Sequence, residues 1–280
     1  MGPRLDLNSG PLDLKRARVM GILNRTPDSF YSGARHVDLS AALRRVEEMV
    51  AEGADIIDVG GEKAGPGPPV EVQEEIDRVV PVIQAVHDRI DVAISVDTVK
   101  PKVAKAAMAA GADIINSIEG FRDPALIRVG VETGAAVVVM HIQGRPRVPN
   151  RDPLYSDVVA DVRAFLADRA AACRSAGIPA DRIIIDPGPG FGKRAEHDLT
   201  LLHELDKLSS LPYPLLLAAS RKPFIGAVLG TAPEDRLEGS LAVVAWGVLK
   251  GAKLLRVHDV RPTVRVVRMT EAVLTAGIPA

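Results

Sequence analysis

Eight short apolar runs recur along this chain at roughly even spacing, and each is followed by a loop and then a segment with helical periodicity. The runs occupy residues 19–24, 55–61, 92–97, 113–118, 135–141, 182–187, 215–220 and 254–259. Strand-like runs alternating with helical patterns predict an α/β chain, here a single (β/α)8 TIM barrel. Most of the runs end in a polar or charged residue. In such barrels the chemistry sits at the C-terminal ends of the strands, so those residues mark the functional face.

The chain's 280 residues match one barrel of about 250 residues. A hydrophobic fraction of 47% supplies a core without a disulfide or metal staple. The single Cys173 excludes an intramolecular disulfide and a multi-cysteine metal site, and reads as a small apolar residue on a helix face. A formal net charge of −1 gives no reason to expect nucleic acid or a membrane as partner, so any anion site must be local. No apolar run is long enough to span a bilayer and no signal core opens the chain, so a cytoplasmic protein is expected.

Residues 1–18 form an expected N-terminal arm, polar and loosely held, placed to close the barrel bottom, and residues 19–280 the barrel. Helices are predicted over 38–52, with Asp38 as N-cap, and over 70–87, 100–110 and 124–133. After the Arg145-Pro146-Arg147-Val148-Pro149 stretch, which proline keeps non-helical, a long helix is expected from Leu154. Later helices are expected over 196–208, 233–250 and 262–275.

Asn24 ends the first run, where its amide can meet a metal or a phosphate. Turn chemistry explains the following Arg25-Thr26-Pro27-Asp28-Ser29 equally well. Asp97 and Asp186 are acids at strand ends, with Asn116 between them in the chain. Two carboxylates and an amide suit a flat heterocycle carrying ring N–H and amino groups. The stretch Asp186-Pro187-Gly188-Pro189-Gly190-Phe191-Gly192-Lys193 lets the backbone turn close to a ligand, but lacks the spacing of a Walker phosphate loop. Ser220-Arg221-Lys222 and Arg256-Val257-His258-Asp259 fall where barrels often build a phosphate site. Arg256 and His258 share one side of their strand and together suit a diphosphate; a salt bridge from Arg256 to a neighbouring strand acid is the competing reading.

These residues, in this order, resemble the dihydropteroate synthase family. The matching stretches are Met20-Gly21-Ile22-Leu23-Asn24, Thr26-Pro27-Asp28-Ser29-Phe30, Asp58-Val59-Gly60-Gly61-Glu62, Ser95-Val96-Asp97-Thr98 and Ile115-Asn116. They continue through Met140-His141-Ile142-Gln143-Gly144, Asp186-Pro187-Gly188, Phe191-Gly192-Lys193, Ser220-Arg221-Lys222 and Arg256-Val257-His258-Asp259. The resemblance implies a transferase that joins p-aminobenzoate to a dihydropterin methyl diphosphate with Mg²⁺, releasing pyrophosphate. It implies that Asp97, Asn116, Asp186 and Lys222 hold the pterin, that Asn24, Arg256 and His258 hold the diphosphate, and that Asn24 meets the metal. It also implies a cytoplasmic homodimer, to which the apolar helix around Trp246 would contribute.

The departures from the family pattern concentrate in the loops after the first two strands. Ser32 stands in place of the family's loop Asp, and Ala64 and Gly65 in place of a Thr-Arg pair. Arg25 replaces a small apolar residue and Ser117 an Asp. A charge-assisted hydrogen bond contributes on the order of 1.5–3 kcal/mol, so these losses predict a homologue with absent or strongly impaired synthase activity that retains some pterin or anion binding. An active synthase with differently built loops is the alternative. Another pterin-binding barrel, such as a methyltransferase, is disfavoured by the retained anion-type residues, and a non-catalytic regulatory protein is the remaining reading.

Overall fold

The computed structural model describes residues 3–25, 35–65, 67–148, 150 and 152–277. Ser32 and the stretch 26–30 that matches the family pattern lie outside them. The chain opens with a short antiparallel hairpin, β1 (Arg4–Leu5) and β2 (Leu12–Asp13). Eight parallel strands follow: β3 (Arg18–Asn24), β4 (Ile56–Gly60), β5 (Ala93–Asp97), β6 (Ile114–Ser117), β7 (Ala136–Met140), β8 (Ile183–Asp186), β9 (Leu216–Leu217) and β10 (Leu254–Val257). Their order is β8-β7-β6-β5-β4-β3-β10-β9, and a parallel bridge between Ile185 and Leu215 brings the two ends together. The result is the predicted (β/α)8 barrel, with the helices packed around it.

Strand periodicity divides the core in two, because successive side chains point to opposite faces. Outward residues such as Val19, Ile57, Val59, Ile94, Val96, Ile115, Val137 and Ile185 join the helices in one large cluster. Inward residues Met20, Ile56, Ile114, Ala136, Val138, Ile184, Leu216 and Leu254 fill the lower lumen. Leu5, Leu7 and Leu14 of the N-terminal segment belong to this inner cluster. The segment is therefore held firmly, contrary to a loose arm. Its backbone is fixed as well: Ser9 N–H donates to Asp113 (2.8 Å), and Arg182 pairs with Asp6 (2.7 Å).

The helices are α1 (Arg35–Glu52), α2 (Val72–His87), α3 (Pro101–Ala109), α4 (Pro124–Thr133), α5 (Val158–Ala176), α6 (Ala195–His203), α7 (Leu205–Ser209), α8 (Pro223–Leu229), α9 (Leu237–Leu249) and α10 (Val260–Thr275). Asp38 lies inside α1 rather than capping it. The long helix expected from Leu154 begins instead at Val158, capped by Asp157, which accepts from Val159 and Ala160 N–H, and Leu154 is exposed. The expected helix over 196–208 is broken at Glu204 into α6 and α7. The helix α8, opened by Pro223 and closed by left-handed Gly230, is not among the helices that the sequence predicts. Cys173 is buried on α5, where burial pushes its thiol up to about 11. Among the described residues, no helix is long and apolar enough to cross a membrane.

Candidate active site at the carboxyl ends of the barrel strands

Above the apolar floor, the inward face of the barrel turns polar. Asp58 on β4, Asn116 on β6 and Asp186 on β8 are buried, with Asp97 at the end of β5 and Arg256 on β10 beside them. Asp58 is two positions above Ile56 on the same face of its strand, and Arg256 two above Leu254. The guanidinium of Arg256 donates Nε–H to Asp58 Oδ2 (2.6 Å) and Nη2–H to Asp97 Oδ2 (2.8 Å). Asn116 Nδ2 donates to the Asp58 carboxylate (3.3 Å). These four side chains, from four strands, form one network across the lumen. Asp186 lies on the far side, where its Oδ1 accepts the Gly188 N–H (2.7 Å).

Backbone register builds the rim. Asn24 pairs with Gly60, Gly60 with Asp97 and Asp97 with Asn116, so one row of the sheet carries Asn24 to the mouth beside the acids. Asn24 and His258 are exposed there. Ser220 Oγ lies 3.1 Å from His258 Nδ1 and links the last two strand ends. Lys222 extends its ammonium 3.9 Å from the centroid of the Phe191 ring. The loop carrying Phe191 is shaped by glycines. Gly188 has φ of 63°, and a Cβ there would sit 2.1 Å from the His141 carbonyl oxygen. Lys193 braces the same loop by donating to Gly188 O (2.9 Å) and Phe191 O (3.2 Å), with His141 Nδ1 2.9 Å away.

The electrostatics follow from three carboxylates (Asp58, Asp97, Asp186) sharing a low-dielectric space with two cations (Arg256, Lys222). Burial pushes Asp97 up to about 7; Arg256 opposes the rise and the nearby Asp58 and Glu75 add to it. Burial also raises Asp186 to about 6, against the Gly188 hydrogen bond and the field of Lys222. Lys222 is pushed down to about 8 by burial and by Arg256. Among the described residues, Asp97 Oδ1 and Asp186 Oδ2 carry no hydrogen bond within the protein. Such oxygens can accept from a ligand's ring N–H and amino groups.

Each described residue expected at the site is found at this end of the barrel. Arg256 is drawn into the acid network by salt bridges to Asp58 and Asp97, the arrangement that competes with a direct diphosphate contact. Asp58, which the sequence marks only as one member of the Asp58-Val59-Gly60-Gly61-Glu62 stretch, is the network's centre. Its signal was present: an ionisable residue in an apolar run, on the lumen-facing parity of its strand. Arg221 belongs elsewhere, forking to both oxygens of Asp259 (2.8 and 3.0 Å).

The loop after β4 also departs from expectation. Glu62 accepts from Val70 N–H (2.9 Å) and from Lys100 (2.8 Å), and pairs with Arg147 (3.0 Å). Lys100 also contacts Glu75, whose other oxygen accepts from Thr98 (2.6 Å). Ala64 packs against the small cluster of Ile118, Met140 and Ile142, as do Val99 and Phe191. Around Gly65 a side chain would meet open space.

A family model described as "Pterin binding enzyme" matches residues 20–258. The chain belongs to the pterin-binding enzyme family. Among pterin-binding enzymes it is 44% identical over 266 residues to the dihydropteroate synthase of Escherichia coli K12, covering 95% of this chain and 94% of that one. A solved Xanthomonas albilineans dihydropteroate synthase with 4-aminobenzoic acid superimposes with a TM-score of 0.91 at 42% identity, covering 100% of both chains. The same synthase in complex with 7,8-dihydropteroate gives 0.89 at 42% identity, covering 99% of this chain and 100% of that one. This pterin-binding enzyme thus shares both its barrel and nearly its whole length with dihydropteroate synthases.

Proposed function

We propose that this pterin-binding enzyme is a dihydropteroate synthase, joining p-aminobenzoate to a dihydropterin methyl diphosphate. The observation that carries this reading is the buried polar layer of Asp58, Asp97, Asn116, Asp186 and Arg256, opening toward Asn24, Lys222 and His258. Asp97 and Asp186 accept from the pterin's amino and ring N–H groups, Asn116 supplies a mixed donor and acceptor, and Lys222 donates to a ring acceptor. Arg256 holds Asp58 and Asp97 in place and brings positive charge beneath the leaving group, while His258 and Asn24 meet the diphosphate at the rim.

In the reaction the bond between the pterin methylene carbon and the diphosphate oxygen breaks, and its electron pair leaves with diphosphate. The lone pair of the aniline nitrogen forms the new C–N bond, and that nitrogen then loses a proton. Because the pterin ring must spread the developing positive charge, the ionised carboxylates of Asp97 and Asp186 beneath it stabilise that charge.

Asn24 fits a Mg²⁺ role: its neutral amide oxygen lies at the mouth, within 3.7 Å of where a Cβ on Gly60 would stand. Mg²⁺ commonly takes one or two protein oxygens together with substrate phosphates, and when bound there it would neutralise diphosphate charge. The homodimer is part of the same proposal, supported by exposed Trp246 and Leu249 on α9 and Met269 and Val273 on the adjoining α10.

Ala64 and Gly65 favour a second reading, a synthase with strongly impaired turnover, because neither offers a polar side chain to the substrate. The discriminating experiment incubates the purified protein with both substrates and Mg²⁺ and detects dihydropteroate by mass. Product that disappears in Asp186→Asn supports the synthase; no product from folded protein that still binds the pterin diphosphate supports the second reading.

A further inference from the structure

The loop after β4 is held by a cation from a distant part of the chain. Arg147, in the connection between β7 and α5, donates Nη1–H to Lys63 O (2.6 Å) and Nη2–H to Pro68 O (2.6 Å). The same Nη1 lies 3.0 Å from Glu62 Oε1. One guanidinium thus grips the loop at both flanks and at the carboxylate that begins it. Glu62 in turn accepts from Val70 N–H and Lys100, and Lys100 donates to Val70 O (2.8 Å), so the segment is tied into a ring about the Glu62 carboxylate. Two features show that the grip is close. Gly67 lies so near that a Cβ would stand 2.8 Å from Arg147 Nη2. Arg147 itself has φ of 63°, a conformation that an L side chain adopts at a cost and that persists where surrounding contacts overdetermine it.

The consequence concerns Ala64, which sits between the gripped carbonyls in sequence. It packs on the Ile118, Met140 and Ile142 cluster, on which Phe191 also packs beneath Lys222. The clamp therefore sets where the apolar wall of the mouth stands. A planar aromatic amine entering beside the pterin would lie against such a wall. We propose that Arg147 is a positioning residue that holds the loop carrying Ala64 and so fixes the acceptor side of the site. This rests on the synthase reading for its substrate, but the clamp itself does not.

Arg147→Ala and Arg147→Lys are compared with the parent protein by hydrogen exchange at the Lys63, Ala64 and Gly65 amides and by separate KM values for the two substrates. Thermal melts confirm that both variants fold. Arg147→Ala is expected to speed exchange at these amides about tenfold or more. It should raise KM for p-aminobenzoate about tenfold while KM for the pterin diphosphate changes less than about threefold. Lysine cannot reproduce the fork, so Arg147→Lys should recover part of each effect. Unchanged exchange in Arg147→Ala overturns the clamp. Faster exchange with unchanged KM for p-aminobenzoate in an active protein overturns the positioning role. A parent protein that neither turns over nor binds p-aminobenzoate defeats the synthase reading and the acceptor role with it, and exchange alone then decides the clamp.

Discussion

At the scale of single residues, the account turns on the pairing of Arg256 with Asp58 and Asp97. Both acids are withdrawn from bulk water, and removing a buried partner leaves its charge uncompensated. Arg256→Met should therefore destabilise the fold by on the order of 3–5 kcal/mol in urea unfolding. Loss of a mere surface ion pair would cost about 1 kcal/mol or less. Asp97 gives a pH signature. Its folded value near 7 lies above the ordinary 3.8, so the ligand-free protein takes up a proton there and is favoured on acidification; this contribution fades as pH rises through 7. A pterin donor needs the ionised carboxylate. Affinity for a pterin ligand should thus fall as pH drops below about 7, approaching tenfold per unit, and titration calorimetry should find that dependence flattened in Asp97→Asn. Much of this site is legible in the sequence because Asp97 and Asp186 sit at or next to the ends of apolar runs, and because Asn116 and Arg256 fall in stretches that match the family pattern. Asp58 is harder to see because it interrupts a run instead of ending it. Arg147 is invisible locally: its contacts are with carbonyls about 80 residues away in the chain.

At the scale of elements, the barrel strands follow from apolar runs that need covering on both faces, and α4 and α5 from caps that bind the first free N–H groups. The helix breaks are less legible, since the division of α6 from α7 at Glu204 reflects packing on the barrel rather than a local breaker such as proline. The N-terminal hairpin closes the barrel bottom as expected, but is held far more tightly than its polar composition suggests. Its leucines are too few and too widely spaced for a periodic signal, yet Leu5 is fully buried against the inner floor. Leu5→Ala is expected to cost about 2–5 kcal/mol, measured by chemical denaturation; a cost under about 0.5 kcal/mol would mean that the hairpin is not part of the core. The turn after β8 makes a matching demand. Gly188→Ala should lower the melting temperature and weaken pterin binding together, because the added Cβ must displace the loop that positions Phe191 and Lys193.

At the scale of the whole molecule, the apolar floor, the polar layer above it and the rim of Asn24, Lys222 and His258 form a graded interior that excludes water below and admits a charged substrate above. The altered loop after β4 leaves this gradient intact, since the wall at Ala64 is carried by the contacts of Arg147 and Lys100 rather than by the side chains that the family pattern would place there. Exposed apolar residues on α9 and α10 predict a dimer, which sedimentation equilibrium should detect and which Leu249→Glu should weaken. Synthase chemistry is the activity proposed for this interior. The most direct measurement is the rate of pyrophosphate release by the purified protein from dihydropterin methyl diphosphate with Mg²⁺, with and without p-aminobenzoate, beside an active dihydropteroate synthase. Release should depend on p-aminobenzoate and lie within about tenfold to a hundredfold of the control, the loss expected when a charge-assisted contact worth on the order of 1.5–3 kcal/mol is missing. Folded protein whose pyrophosphate release shows no dependence on p-aminobenzoate would contradict the proposed activity.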